Sequence, residues 1–402
     1  MAGMEFGKNR ELVRGWNLPM LVLSLAVAWF VLHGSYIANG YWVDGQGYIL
    51  GRDFLNFWHY GLAAWNGKAM AYYDVWNYNA VLDRLIPGYD YPNQNWSYPP
   101  HYMMLAAPFG LVGYNWALAV FSGLGLFAYW KVAAQPLAHR ESRLALFAMP
   151  ALTVFLLCGQ VSALVAVALI AIYRNLDERP VVAGLIIALL TVKPQIGLLI
   201  PLFLILTGRW KVFFAAAGGT IALIGTSLLL HGVEPWRYYL IDGISVQSTT
   251  LVDSNVIVLG LMPTVFVNAV MVGVPRNVSM LMHGLVALCA IAAMVWTVLR
   301  CRDQFLQFAS LVVATLIVTP YLMSYDTLVL GWVMLMLAQR AEMSPVQGII
   351  YRFAMILSPL GVILALNGIP GAPLAILGLM VWLMQVVFQQ VQQRQLATLP
   401  AQ

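Results

Sequence analysis

The run LALFAMPALTVFLLCGQVSALVAVALIAIY, from Leu144 to Tyr173, is strongly polar only at Gly159-Gln160, and it is bounded by Arg143 and Arg174. A single spanning helix would carry cations to both sides of a bilayer, whereas a hairpin returns both ends to the positive side. The hairpin fits better. Each arm holds roughly 13 to 14 residues, about 20 Å of helix, which is short of a hydrocarbon layer of about 30 Å. The Gly159-Gln160 tip therefore sits below the far membrane surface. Polar side chains and broken backbone are tolerated at that depth only where they line a protein cavity or pair with one another.

The same logic recurs twice. Val181 to Thr207 lies between Arg179 and Arg209/Lys211 and is broken at Lys193-Pro194-Gln195. Phe305 to Leu337 lies between Arg302 and Arg340, with its tip from Thr319-Pro320-Tyr321 through Tyr325-Asp326. Hydrophobic residues make up 61% of the chain and charged residues 9%, and the mean hydropathy is +0.78, which excludes an ordinary soluble globular protein. The net charge of +5 sits in short loops as topology determinants, and no basic run suggests nucleic acid as a partner. The chain reads as an all-α polytopic membrane protein with about 11 to 13 spanning segments, one integral-membrane domain over 1–402, and no fixed-period repeat.

Lys8, Arg10 and Arg14 place residues 1–17 in the cytoplasm, and Leu18 to Ala38 reads as a retained first helix with no small-residue cleavage site. Residues 41–100 then lie on the non-cytoplasmic side, where Asp44, Asp53, Asp74, Asp83 and Asp90 outnumber Arg52, Lys68 and Arg84. The chain re-enters from His101 to about Lys131. Val212 to Leu230 leads to a second external loop, 232–255, with an interfacial stripe of Trp236, Tyr239, Leu240 and Ile244. By length Val256–Val274 and Met280–Leu299 would be two passes, but Arg300 and Arg302 fit one, which leaves one of these runs open as re-entrant. Gln347–Leu366 and Leu374–Phe388 are the last two helices, and 391–402 is a cytoplasmic tail.

The first external loop is the main candidate for a working surface. Within it Asp53-Phe54-Leu55-Asn56-Phe57-Trp58-His59-Tyr60 has a helical period, and Phe54, Phe57, Trp58, Leu62 and Trp65 form a stripe expected in the headgroup layer. Asp53, Asn56 and Tyr60 share the opposite face. Gly67, Pro87-Gly88 and Pro92-Asn93 mark turns between two short surface helices. This topology brings Asp53, Tyr98, Gln160, Lys193, Gln195, Tyr325 and Asp326 to one face of the membrane. Four of them have a plainer alternative. Asp53 would cap a helix, Lys193 would snorkel or pair with Asp326, and Tyr98-Pro99-Pro100 would be a stiff turn. His33, His101 and His231 lack metal-ligand spacing and suit helix ends, and Cys158, Cys289 and Cys301 show no disulfide or metal pattern.

Taken together, Arg52-Asp53-Phe54-x-x-Phe57 with Gly61 to Gly67, Tyr98-Pro99-Pro100 followed by Pro108, Gly159-Gln160, Lys193-Pro194-Gln195 and Pro320 to Asp326 resemble glycosyltransferase family 87 over about residues 15 to 340. That resemblance implies the GT-C fold and inverting transfer of a sugar, mannose or another hexose, from a polyprenyl-phosphate donor to an acceptor hydroxyl on a glycolipid or glycan. Asp53 matches the family's general base. Lys193, Arg52, Gln195 and Gln160 are then candidates for the donor phosphate, and Asn56, Tyr60, Tyr98, His101, Tyr325 and Asp326 for sugar or acceptor. Tyr325-Asp326 departs from the Trp-Asp-His-His expected of many members. A lipid-phosphate donor needs no nucleotide-binding fold. Neither a Gly-rich phosphate loop nor a DxD pair occurs, so no metal or other cofactor is expected. Membrane lipids are the remaining partner, and the resemblance places the active site on the outer face of the plasma (inner) membrane. A transporter or flippase for lipid-linked or small polar cargo would use the same broken hairpins, and a noncatalytic scaffold would leave Lys193 unexplained.

Overall fold

The computed structural model describes residues 2–67, 69–86, 94, 98–253, 255–340 and 342–397, and for side chains the same set without 2–7, 71, 72, 75, 76, 244–253 and 397. The turns expected at Pro87-Gly88 and Pro92-Asn93, Lys68, Asp90 and the Ile244 side chain lie outside these residues. The described chain is helical apart from one small hairpin. That hairpin pairs β1 (Tyr36–Ala38) with β2 (Tyr41–Val43) around Asn39-Gly40, both at positive φ. Two consecutive left-handed residues make the turn whose twist suits an antiparallel pair.

The apolar segments divide into two kinds by length. Among the described residues five helices are long and apolar enough to cross a membrane: Lys8–Leu32 within α1 (Ala2–Leu32), Tyr114–Ala134, which is α6 (Tyr114–Tyr129) with its π-helical last turn, α12 (Trp210–His231), α16 (Arg276–Arg300), and Pro373–Leu396 within α21 (Pro373–Ala397). Two bent pairs raise the number to as many as seven among these residues: α7 (Arg140–Ala148) with α8 (Pro150–Cys158), bent by 46°, and α19 (Pro345–Met355) with α20 (Leu357–Leu366), bent by 83°. In both pairs a short break separates the helices, and Pro150 and Pro345 stand in first turns, where the missing N–H is no loss.

Most of the shorter apolar helices are hairpin arms too short to span alone, the first of them turning back from α8 of the bent pair. The first hairpin joins α8 to α9 (Ser162–Asn175) through Gly159. The second joins α10 (Pro180–Leu190) to α11 (Ile200–Leu206) through a 3₁₀ turn at Pro194–Gly197, and the third joins α17 (Gln304–Val318) to α18 (Leu328–Ala338) through a 3₁₀ turn at Ser324–Thr327. Their bases are tied by ion pairs: Arg10 to Glu141 at 2.8 Å, Arg209 to Asp177 at 3.0 Å, Arg340 to Asp303 at 2.7 Å, and Lys8 to Glu342 at 2.7 Å. Gln304 also donates to Asp177 at 2.6 Å. One end of the bundle is thus basic and cross-linked. The hairpin tips stand about 20 Å away, the length of α9.

The run 256–302 holds one span. α14 (Val256–Gly260) and α15 (Val265–Met271) are short and broken, and α16 alone reaches the basic end. The segment expected as a second external loop holds helix α13 (Glu234–Asp253).

α2 (Arg52–Asn66), which the short α3 (Met70–Tyr73) and α4 (Val75–Leu82) follow, corrects an expectation. Its Phe54 and Phe57 are buried in the protein against Phe109, Phe121, Tyr98 and Tyr102, and do not form a headgroup-facing stripe. Trp65 remains exposed, while Trp58 is half-buried and donates to the Val112 carbonyl. Gly61 and Gly110 explain the burial. A Cβ at either would run into the other strand of chain, so two glycines let α2 lie directly on the turn after α5 (Tyr102–Ala106).

Candidate active site

The site is built by a close approach between α2 and the first hairpin tip. Gly51, at φ 89°, precedes α2 and donates its N–H to the Leu157 carbonyl at 3.0 Å. Gly159, at φ 62°, closes α8, and a methyl there would collide with the Cβ of Phe54. Two left-handed glycines in contact set the tip on the start of α2. As a result Gln160 Nε2 donates to Asp53 Oδ2 at 2.6 Å, and Gln160 Oε1 accepts from the Tyr98 hydroxyl at 2.9 Å. Gln160 is buried, whereas Asp53 keeps part of its surface open.

The other two tips meet each other beside this pair. Lys193 Nζ lies 2.6 Å from Asp326 Oδ1 and 5.1 Å from the centre of the Tyr325 ring, with Lys193, Asp326 and Tyr325 all buried. Thr319 adds a bond from its hydroxyl to the Gln195 carbonyl at 3.3 Å. Lys193 and Asp326 are near enough to Asp53 to act on its charge. α2 is not among the membrane-length helices. Burial pushes the Asp53 carboxyl above the usual carboxylate range, and the Gln160 bond, Arg52 and Lys193 oppose that shift.

Not every candidate from the sequence joins this cluster. Arg52 turns to Asp44, 2.8 Å away, and stacks 4.6 Å from the Tyr48 ring centre. Asn56 and Tyr60 belong to a separate buried aromatic group: Tyr78 donates to Asn56 Oδ1 at 2.5 Å, and Tyr60 packs on Tyr73 and Tyr78. His59 lies in that group, and burial pushes its imidazole down to about 4. His101 faces α10 and α13, with Nε2 3.1 Å from Thr191 Oγ1 and its ring stacked on Trp236 at 5.7 Å. Gln195 contributes its backbone carbonyl. The structure brings Asp53, Gln160, Tyr98, Lys193, Tyr325 and Asp326 together.

Tyr102 and Tyr321 were not singled out as site residues. Tyr102 stacks on Tyr98 with centres 4.9 Å apart, and Tyr321 lies near enough to Asp53 and Asp326 to feel their charge. Tyr321 stood within the third polar tip, which was the available signal. Tyr102 had none, since an aromatic at the start of an apolar run looks like any other.

Chemically, the cluster offers a partly open carboxylate with one oxygen held by an amide, next to a cation in an aromatic-walled interior. Fold and site together define a polytopic membrane protein with a carboxylate and lysine site assembled from hairpin turns. Residues 96–323 match the sequence model of Glycosyltransferase family 87, more than half of the chain, and the protein belongs to that family of glycosyltransferases. The matched range holds Tyr98, Gln160, Lys193 and Tyr321, while Asp53 precedes it and Tyr325 and Asp326 follow it. No curated protein and no solved structure matches the chain.

Proposed function

We propose that the protein moves a sugar, a hexose and first of all mannose, from a polyprenyl-phosphate donor to an acceptor hydroxyl of a glycolipid or glycan, with inversion at the anomeric carbon. The observation that carries this reading is the meeting of Asp53 with the Lys193 tip in one polar cluster. Asp53 takes the proton of the acceptor hydroxyl as that oxygen attacks the anomeric carbon. The bond from that carbon to the lipid phosphate breaks, and the phosphate leaves with the electron pair. A positioned carboxylate and a desolvated cation supply what this step needs.

Lys193 is the proposed ligand of the departing phosphate. It would exchange part of its contact with Asp326 for the new anion, while Tyr325 keeps the cation against an aromatic face. Arg52, already paired with Asp44, is assigned to holding the loop before α2 and not to the donor. Gln160 is reassigned from the donor phosphate to Asp53 for the same kind of reason. The basic charge at the opposite end of the bundle supports a site on the non-cytoplasmic side of the membrane, and the reading takes that membrane to be the plasma membrane.

The test is mass spectrometry of products formed by the purified protein in vesicles from a panel of polyprenyl-phosphate sugars and of nucleotide sugars. A glycosidic product from a polyprenyl-phosphate hexose is expected. Product from nucleotide sugars alone would overturn the donor assignment, and movement of intact donor across the bilayer without a new glycosidic bond would favour a flippase.

A further inference from the structure

α16 carries a histidine inside a membrane-length apolar helix. His283 is buried, about two turns along from Arg276 at the site end of the helix. An ionisable side chain at such a depth is kept where it pairs with something specific. Its Nε2 stands 3.0 Å from the carbonyl of Val318, the last residue of α17. A carbonyl only accepts, so Nε2 carries the proton, and Nδ1 is buried with no hydrogen-bond partner among the described residues.

The Val318 carbonyl needs a donor from outside its own helix. The chain turns extended at Thr319 and Pro320 has no N–H, so α17 cannot close on that carbonyl with a further turn. His283 supplies the donor. The Val318–Thr319 peptide is thereby held on both sides, since the Thr319 N–H bonds the Thr315 carbonyl at 3.2 Å. From that fixed peptide the Thr319 hydroxyl reaches the carbonyl of Gln195, close in sequence to Lys193. The far end of the tip is held as well, because the Ser324 N–H, just before Tyr325-Asp326, donates to the Leu261 carbonyl at 2.7 Å. Leu261 lies in the break between α14 and α15, which the Asn268 amide braces by donating to the Met262 and Thr264 carbonyls at 3.0 and 3.1 Å. Gly260, beside it, lies against Gly361 of α20 too closely for a Cβ on either.

We infer that His283 is a positioning residue for the Lys193–Asp326 pair, acting through the Val318–Thr319 peptide, with the Leu261 break as the second point of support. The inference rests on the role proposed above for Lys193 at the departing phosphate. The backbone from Thr319 to Met323 is neither helix nor strand, and fixing it at both ends selects the one path that sets Asp326 against Lys193. Packing alone does not account for the imidazole: a leucine would fill the space without burying a nitrogen that has no partner.

The test compares His283→Leu, His283→Gln and Thr297→Val in the full-length protein in vesicles. Thr297 is buried on the same helix toward the basic end and bonds the Ala293 carbonyl at 2.9 Å, so its loss perturbs α16 away from the tip. Turnover is measured with a polyprenyl-phosphate hexose and a glycolipid acceptor, and amide hydrogen exchange is followed over residues 319–326. In His283→Leu the donor KM should rise about tenfold, the scale of one net hydrogen bond, with the acceptor KM unchanged and exchange at Ser324 to Asp326 accelerated. His283→Gln, whose amide can donate where Nε2 stands, should restore both, and Thr297→Val should change neither. Destabilisation alone removes active protein, which lowers the apparent kcat and leaves both KM values in place. That pattern in His283→Leu, or a folded His283→Gln that does not restore the donor KM, would overturn the positioning role. The exchange measurement needs no donor. Absence of transfer from any polyprenyl-phosphate sugar by the wild type would overturn the donor class, whereas unchanged exchange in His283→Leu would overturn the pin whatever the donor.

Discussion

Gln160 Nε2 stands 2.6 Å from Asp53 Oδ2, so a hairpin tip and a helix start 107 positions apart in sequence share one hydrogen bond. This contact holds one carboxylate oxygen and leaves the other for a substrate. It also favours the ionised form in a place where burial disfavours it. Gln160 is therefore a positioning residue for the proposed base. Replacing it with Leu removes the bond and moves the Asp53 pKa further up. A base acts only when deprotonated, so the acid limb of kcat/KM should shift to higher pH than in the wild type. The plateau rate should fall less than the low-pH rate. A pH profile unchanged from wild type would assign Gln160 a purely structural part.

Gly159→Ala should separate the tip from α2. The residue adopts φ 62°, and a methyl would collide with Phe54, so both strain and overlap oppose the change. A cost of roughly 1–3 kcal/mol is expected, read as a lower melting temperature in detergent together with a loss of turnover. Gly123→Ala, where the space is open, should be silent in both.

Lys193 and Asp326 form a buried pair, and breaking one member strands the other. Lys193→Met or Asp326→Leu alone should cost about 3–5 kcal/mol, whereas the double variant should recover much of that stability. Sugar transfer should stay low in the double variant, because the proposed cation for the donor phosphate is gone. Recovery of both stability and turnover would show that the pair is structural alone.

Arg52→Gln should weaken the loop that Asp44 holds and leave donor affinity nearly unchanged. The guanidinium is already engaged by Asp44 at 2.8 Å and by the Tyr48 ring. The expected outcome is a lower melting temperature with a donor KM within about twofold of wild type, below the 1.4 kcal/mol that a tenfold change represents. A large rise in donor KM at unchanged stability would return Arg52 to the phosphate.

Much of the fold was legible because charge and length act together. Arginines at both ends of Leu144–Tyr173, with Gly159-Gln160 between them, leave a hairpin as the economical solution, and the same held for the tips at Lys193 and Asp326. The depth of α2 was not legible. An aromatic stripe such as Phe54, Phe57 and Trp65 looks the same whether headgroups or protein cover it, and the covering residues, Phe109 and Phe121, are remote in sequence. The Asn39-Gly40 hairpin carried a readable turn signal that the apolar surroundings masked. The pairing of Asp44 with Arg52 follows no helical or strand spacing and required the fold itself. Asn56 and Tyr60 lie on the same side of α2 as Asp53 by periodicity alone, yet several residues along the helix Tyr73 and Tyr78 have already replaced the site as neighbours.

The most direct measurement is sugar transfer by Asp53→Asn in vesicles supplied with a polyprenyl-phosphate hexose and a glycolipid acceptor. Because burial raises the Asp53 pKa, stability gained from its protonated form is fully present below the unfolded value of about 3.9 and is lost as pH rises through the folded value. The neutral amide escapes that loss, so the variant should fold and insert at neutral pH at least as well as wild type. Its transfer rate should nevertheless fall by about 10²-fold or more, the typical contribution of a positioned general base. Wild-type turnover in the folded Asp53→Asn protein would contradict the assignment of this carboxylate as the base.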